Sequence, residues 1–413
     1  MTGFATQSIH GSRRAKEPHG TLRPALYDSA AFDFNTSEEI ARAFDGRIYA
    51  HSYSRISNPT VAELEERLAL LAGARAAVAV SSGMAAISNT LLTLGFSGAN
   101  VVVPRFLFGN TRALITTTLG PWGLTVKSLD ILDLQALEAA IDDETCAVFF
   151  ESISNPQLEV PDVEAIVSLA HAKGVPVVLD GTATTPYLFK SKDFGVDIEV
   201  ISSTKYISGG ATSIGGVILD NGLFDWKRSR RLKDSAKRFG PLAFIATLRR
   251  EVFQNLGACL GAHNAWLQLL GLETLALRVD RSTTHALKLA EFLLGRGEVK
   301  AVNYPGLEQS ASYPTAKKLF HKGFGGILTL SLANAEQCFA FQDALTVIRR
   351  ATNIHDNKTL IIHPSSTIFH NFSEEEKVKM GVTGELLRLS VGIEDIEDLK
   401  EDLERGFAAI AGG

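Results

Sequence analysis

Val196-Asp197-Ile198-Glu199-Val200-Ile201-Ser202-Ser203-Thr204-Lys205-Tyr206-Ile207-Ser208-Gly209-Gly210 decides how the rest of the chain is read. Its first half is rich in β-branched residues and predicts a strand. Its second half leaves that strand with a lysine among hydroxyl residues and two glycines beyond. A buried ammonium is costly unless it is paired or deprotonated. A lysine so placed is a candidate for Schiff-base chemistry with an aldehyde such as pyridoxal phosphate. A surface lysine at a strand end is the competing reading.

Working outward, strands and helices alternate. Strands are expected at Ala76–Val80, Val101–Val103, Leu124–Lys127, Ala147–Phe150, Val175–Asp180, Ile198–Ser202 and Gly216–Leu219. Helices are expected at Val61–Ala72, Gly83–Leu94, Leu134–Ile141 and Asp162–Lys173. Unbroken apolar strands alternating with helices predict an α/β fold with a mainly parallel central sheet covered on both faces. Ligands of such sheets sit at the carboxyl ends of the strands, where Ser81-Ser82-Gly83, Ser154-Asn155-Pro156, Asp180 and Lys205 all fall. Beyond about residue 250 the pattern changes. A long helical region, Glu251–Leu270, and a helix Ser282–Leu294 precede strands at Val299–Tyr304, Gly326–Leu332 and Leu387–Val391. Helices at Glu336–Leu345 and Ile396–Ala409 complete a smaller α/β C-terminal domain. Residues 1–60 read as an irregular arm marked by His10, Gly11, Pro18 and Gly20, of a kind that embraces a neighbouring subunit. The expected domains are thus 1–60, 61–260 and 261–413.

The bulk composition excludes several classes. The 413 residues are 45% hydrophobic with a formal net charge of -5, which argues against nucleic acid or an anionic membrane as partner. No apolar run reaches the roughly 18 residues of a membrane helix, and the polar N-terminus lacks a signal-peptide core. Three cysteines, Cys146, Cys259 and Cys338, lie far apart, which suits a reducing cytoplasm. No His, Cys and Asp set has metal-ligand spacing, and no serine has a nearby histidine suggesting a hydrolase triad. The basic run Lys227–Lys233 with Lys237 and Arg238 reads as a solvated helix face, and His363 and His370 as structural.

Three further sites carry chemistry. Ser81-Ser82-Gly83-Met84 joins a strand to a helix, whose N-terminal N–H groups suit a phosphate; an ordinary N-cap at Ser82 is the alternative. Asp180 ends an apolar strand, where it would keep a proton on a pyridine nitrogen or form a structural ion pair. Arg388 is a lone charge in Leu386-Leu387-Arg388-Leu389, where a substrate carboxylate or a structural acid would satisfy it.

Six segments resemble the cysteine/methionine-metabolism family of pyridoxal-phosphate enzymes, of aspartate-aminotransferase-type fold. They are Tyr53-Ser-Arg55-Ile-Ser-Asn-Pro-Thr60, Ser81–Ala86, Glu151-Ser-Ile-Ser-Asn155-Pro156, Ser202–Lys205, His363-Pro-Ser-Ser-Thr367 and Arg388–Glu394. Within the family, Thr204–Ile207, Ala211–Asp220, Gly271–Leu275 and Val302–Leu307 are most similar to the O-acetylhomoserine sulfhydrylase branch. The resemblance implies that Lys205 forms the Schiff base and then shuttles protons. It implies that Gly83, Met84, Ser202 and Thr204 bind the phosphate, joined by Tyr53 and Arg55 of a neighbouring subunit, with Tyr53 also a candidate acid-base group. It places Asn155 near the cofactor's 3-oxygen or the substrate carboxylate, and Asn353 beside Arg388. The implied assembly is a homotetramer, and the implied reaction is γ-replacement on an O-acylated homoserine. Two departures stand out. Phe108 occupies the place of the family's ring-stacking tyrosine, and Asn110 the place where methionine γ-lyases carry a cysteine. A γ-lyase, a cystathionine synthase and a catalytically silent cofactor-binding protein remain as alternatives.

Overall fold

The computed structural model describes residues 3–11 and 20–411; Pro18 of the arm lies outside the described residues. Seven strands form the first sheet: β1 Ala76–Val80, β2 Asn100–Pro104, β3 Thr125–Leu129, β4 Thr145–Glu151, β5 Val177–Asp180, β6 Ile198–Ile201 and β7 Gly216–Asp220. Their spatial order is β1-β7-β6-β5-β4-β2-β3. All run parallel except β7, which is antiparallel to both β1 and β6. The inner strands are buried on both faces because most of their positions are apolar: β2 is wholly buried, and Val78, Val148, Phe149 and Val178 are inaccessible, while the edge strand β3 is partly exposed. This is the pattern expected when helices cover both sides.

Five strands form the second sheet: β8 Ala301–Asn303, β9 Ile327–Ser331, β10 Arg349–Arg350, β11 Leu360–Ile362 and β12 Leu386–Ser390, in the order β10-β11-β12-β9-β8. The helix Leu275–Leu294 lays Leu289 and Leu293 on this sheet's core, and Ile396–Ala411 contributes Leu399, Leu403 and Phe407. No helix among the described residues is long and apolar enough to cross a membrane.

Three expectations change. The helix expected over Glu251–Leu270 is broken: Gly257 takes a left-handed turn at φ 69° and the helix resumes at Ala262. The interruption lets Ala258 accept the Ser81 N–H at 2.9 Å and Cys259 bridge to Val80, bracing the turn after β1. The helix expected from Ser282 starts seven residues earlier, at Leu275. The arm is not wholly irregular. Phe4–His10 is helical, and Thr36 caps a helix Ser37–Phe44 that buries none of its residues.

Candidate functional site

A cavity of about 470 Å³ opens where the carboxyl ends of the first sheet's strands face the second sheet. Lys205 enters from the turn after β6, Asp180 and Glu151 from the ends of β5 and β4, and Arg388 from the middle of β12. Phe108, Asn110, Asn155 and Asn353 also line it, with Ser82, Gly83 and Met84 at a helix N-terminus and Ser202 and Thr204 in the lysine's turn.

Lys205 is largely buried, and burial, with the Arg388 charge second, pulls its amine down to about 8. Its Nζ donates to Asn353 Oδ1 at 2.5 Å. The amine is thus closer to its reactive neutral form than a surface lysine, whose pKa is about 10.4.

Asp180 has no ion-pair partner among the described residues. Oδ1 accepts the Thr182 N–H at 2.9 Å, and burial raises its pKa against that hydrogen bond. A cation placed beside it would restore its ionised form.

Arg388 is 2% exposed and pairs with no carboxylate among the described residues. It donates to Asn155 Oδ1 at 3.0 Å, to Thr352 O at 3.2 Å and to Asn353 O at 3.3 Å. Its Nε is buried without a partner, and burial pulls the guanidinium down to about 10. Neutral oxygens orient the fork without neutralising it, so it suits an incoming carboxylate.

At the other end, Ser82 caps the helix Gly83–Leu94, its Oγ accepting the Ala85 N–H at 3.0 Å. The capping and anion-binding readings are therefore compatible: the cap fixes the turn whose Gly83 and Met84 line the cavity. A Cβ on Gly83 would lie 2.7 Å from the Ser202 Cβ, so only glycine lets these two segments meet. Thr204 Oγ1 accepts the Gly215 N–H and donates to the Gly215 carbonyl, tying the lysine's turn to the start of β7.

Tyr53 and Arg55 do not line this cavity. Tyr53 is 43% exposed; Arg55 lies over its ring and donates to the Gln254 carbonyl. Two residues assigned no role from sequence join the site. Glu151 lines the cavity beside Asp180 and, like it, is an acid ending a largely apolar strand. His355 stacks on Tyr206 with centroids 4.1 Å apart, holds a positive φ of 55°, and is pushed down to about 3 by burial and by the Lys205 and Arg388 charges. A neutral imidazole packed on the residue after Lys205 braces the lysine's turn. Elsewhere, His363 bonds Ser366 and the Gly384 carbonyl, a structural role. In the basic run, Arg230, Arg231 and Lys237 pair with Glu144, Glu251 and Asp234.

An amine near neutrality, an N–H cradle closed by Gly83 against Ser202, and a buried unpaired carboxylate match the aldehyde, phosphate and ring nitrogen of pyridoxal phosphate. A family model, that of the Cys/Met metabolism PLP-dependent enzymes, matches residues 5–408. The chain belongs to this family. Like other Cys/Met metabolism PLP-dependent enzymes, it uses pyridoxal phosphate and has the type I fold of such enzymes. An O-acetyl-L-homoserine sulfhydrylase of Corynebacterium glutamicum is 36% identical over 425 residues, 99% of this chain and 97% of the relative. A solved structure assigned as an O-acetylhomoserine (thiol)-lyase of Campylobacter jejuni superimposes with a TM-score of 0.94 at 35% identity, over 98% of this chain and 100% of that one. It carries N'-pyridoxyl-lysine-5'-monophosphate at its position 205. The O-acetylhomoserine sulfhydrylase of Wolinella succinogenes, described in the methionine biosynthetic pathway, is 49% identical with a TM-score of 0.78, over 86% of this chain and 98% of that one.

Proposed function

We propose that the chain catalyses γ-replacement on O-acetylhomoserine, with sulfide or an equivalent sulfur donor, giving homocysteine and acetate in methionine biosynthesis. The observation that carries this reading is the single cavity in which a depressed amine and a carboxylate-free guanidinium face each other, in a chain similar to sulfhydrylases over nearly its whole length. Bound pyridoxal phosphate supplies an aldehyde to hold the substrate amine and a protonated ring that withdraws electrons from Cα. Lys205 would hold that aldehyde at rest, and its amine, once free, would take the Cα proton and move protons along the side chain. Asp180 would keep the ring nitrogen protonated, and Phe108 would offer its face to the ring. Gly83, Met84, Ser202 and Thr204 hold the phosphate, while Arg388, oriented by Asn155 and flanked by Asn353, grips the substrate carboxylate. The γ-carbon loses its bond to acetate oxygen and gains one to sulfur. Phe108 has no hydroxyl, so proton traffic falls to Lys205, to Tyr53 or to water.

Tyr53 and Arg55 are proposed to complete the phosphate site of a neighbouring subunit. Their exposed position away from their own chain's cavity supports this, as does the adjoining helix Ser37–Phe44 that buries nothing. The assembly is proposed to be a homotetramer of such pairs. Mixing Arg55→Ala with Lys205→Ala subunits should restore up to about a quarter of wild-type activity from two inactive parents, because about half of the pairs are mixed and each of those holds one intact site of two. Recovery of none after subunit exchange is verified by mass would remove the shared site. The proposed division is an arm 1–60, a cofactor domain 61–260 and a C-terminal domain 261–413. The first sheet falls within 76–220 and the second within 301–390. Three unpaired cysteines support a reducing, cytoplasmic setting.

The deciding experiment incubates the cofactor-loaded protein with O-acetylhomoserine, with and without sulfide. Homocysteine and acetate formed only with sulfide would establish γ-replacement. Ammonia and a keto acid formed without it would make the enzyme a γ-lyase.

A further inference from the structure

The segment between β10 and β11 carries Asn353 to the cavity, and Asp356 stands behind it. Lys205 Nζ donates to Asn353 Oδ1 at 2.5 Å. From the other end of the same amide, Asn353 Nδ2 donates to Asp356 Oδ2 at 3.3 Å. Asp356 Oδ1 accepts the Lys358 N–H at 3.1 Å, which fixes the carboxyl within its own turn. Lysine, amide and carboxyl thus form one chain of hydrogen bonds. The steps of γ-replacement give Asp356 no part.

An asparagine amide keeps nearly the same shape when turned over, but its two ends differ in chemistry. A carboxylate only accepts, so Asp356 favours the orientation in which Nδ2 faces it and Oδ1 faces the lysine. The consequence falls on the amine. Against Oδ1, Nζ donates a proton and keeps its lone pair unengaged. With the amide reversed, Nδ2 would donate into the lone pair of the neutral amine. That pair is what attacks an aldehyde or takes a Cα proton. The segment itself is anchored independently of Asp356. The His355 N–H donates to Ser390 Oγ at 2.6 Å and Asn357 Nδ2 to the Gly209 carbonyl at 2.9 Å, while the Thr352 and Asn353 carbonyls receive Arg388.

We propose that Asp356 is a positioning residue acting through Asn353: it holds the amide with its oxygen toward Lys205, so that the lysine's lone pair stays free for bond formation and proton transfer. The inference rests on the role proposed for Lys205. The charges that face the amine are Arg388 from β12, which together with burial pulls its pKa down, and Asp356, which holds it up. His355 is kept neutral by burial and by the Lys205 and Arg388 charges, and Asp180 and Glu151 reach the same cavity from β5 and β4. Loss of Asp356 therefore has two separable effects: the missing charge moves the pH midpoint of the amine, and the released amide lowers the rate at which the neutral amine reacts.

The test follows capture of pyridoxal phosphate by the cofactor-free protein against pH, together with kcat and KM for O-acetylhomoserine. Asp356→Ala should bring the midpoint of capture below the wild-type value of about 8. It should also lower the rate on the high-pH plateau by about tenfold, the effect of one misdirected hydrogen bond at the reacting group. kcat should fall by a similar factor, with KM within about threefold of wild type. Asp356→Asn removes the charge but leaves a carbonyl that can accept from Nδ2. Its midpoint should fall as in Asp356→Ala, while its plateau recovers to within about threefold of wild type. In an Asn353→Ala background there is no amide to reverse, so adding Asp356→Ala should change the plateau by less than about twofold. A wild-type plateau in Asp356→Ala, an Asp356→Asn plateau as low as that of Asp356→Ala, or a tenfold loss that persists in the Asn353→Ala background would overturn the proposal. Should Asp356→Ala not fold, Asp356→Ser, whose hydroxyl can still accept the Lys358 N–H but also donates, should lower midpoint and plateau alike; no drop would again overturn it. Borohydride separates the two levels. If reduction of the wild type attaches no cofactor to Lys205, the underlying role fails. If it does, and Asp356→Ala captures cofactor at the wild-type rate, only the positioning fails.

Discussion

Lys205→Ala is expected to lower turnover by about 10⁴-fold, since the variant loses both a covalent attachment and a positioned base. The protein should still fold and still take up pyridoxal phosphate non-covalently, because the N–H cradle at Gly83 and the hydroxyls of Ser202 and Thr204 do not depend on the amine. The spectrum should then be that of a free aldehyde, and borohydride should fix no cofactor to the chain. Turnover retained by Lys205→Ala would refute the assignment of this lysine. The wild-type amine also predicts a pH dependence. Burial and the Arg388 charge hold it down to about 8, and only the neutral amine attacks an aldehyde. Uptake of cofactor by the cofactor-free protein should therefore speed up as pH rises through about 8 and level off above it. An ordinary lysine would keep accelerating to about pH 10. A rate still climbing at that pH would mean that the amine is not depressed.

Much of this was legible in the sequence, and the boundary between legible and hidden has physical causes. The strand Ala76–Val80 and the helix Gly83–Leu94 occupy the residues expected, because an apolar run closed by Ser-Ser-Gly carries strand, cap and turn signals together. The reversal of β7 left no such mark: Gly216–Asp220 is buried throughout, and a strand buried on both faces reads the same in either direction. The break at Gly257 was hidden because the turns on both sides are helical, and only the pairing of Cys259 with Val80 explains it. Within the site, Asp180 and Arg388 were visible as charges in apolar runs, and Lys205 as a charge just past a strand among hydroxyl residues and glycines. Glu151 gave a similar signal, but its meaning depends on strand register, on its standing opposite Asp180. Composition and spacing do not carry that information. Likewise His355 is one histidine among ten in the chain; its stack on Tyr206 joins residues about 150 positions apart.

Arg388→Lys is the second large effect expected, and it separates charge from shape. The guanidinium spans Asn155 Oδ1 and the carbonyls of Thr352 and Asn353 while its Nε stays unpartnered. A lysine ammonium keeps the charge but offers a compact set of donors on a flexible stem, so the fixed two-point grip on a carboxylate is lost. KM for O-acetylhomoserine should rise by about 10- to 100-fold, with kcat changed much less, because the carboxylate contact is present in both bound substrate and transition state. The charge that helps hold the Lys205 amine down is retained, so the pH midpoint for cofactor uptake should stay near 8. Arg388→Leu removes that charge, and its midpoint should move upward as well as its KM. A substrate analogue lacking the carboxylate, 3-aminopropyl acetate, isolates the contact. Wild type should bind it poorly, and Arg388→Lys should lose little further affinity for it. If Arg388→Lys weakened binding of the analogue as much as that of the amino acid, the arginine would be shaping the cavity and not gripping the carboxylate. If neither ligand were affected, an unpaired guanidinium would be held inside the protein with no anion to justify the desolvation it requires.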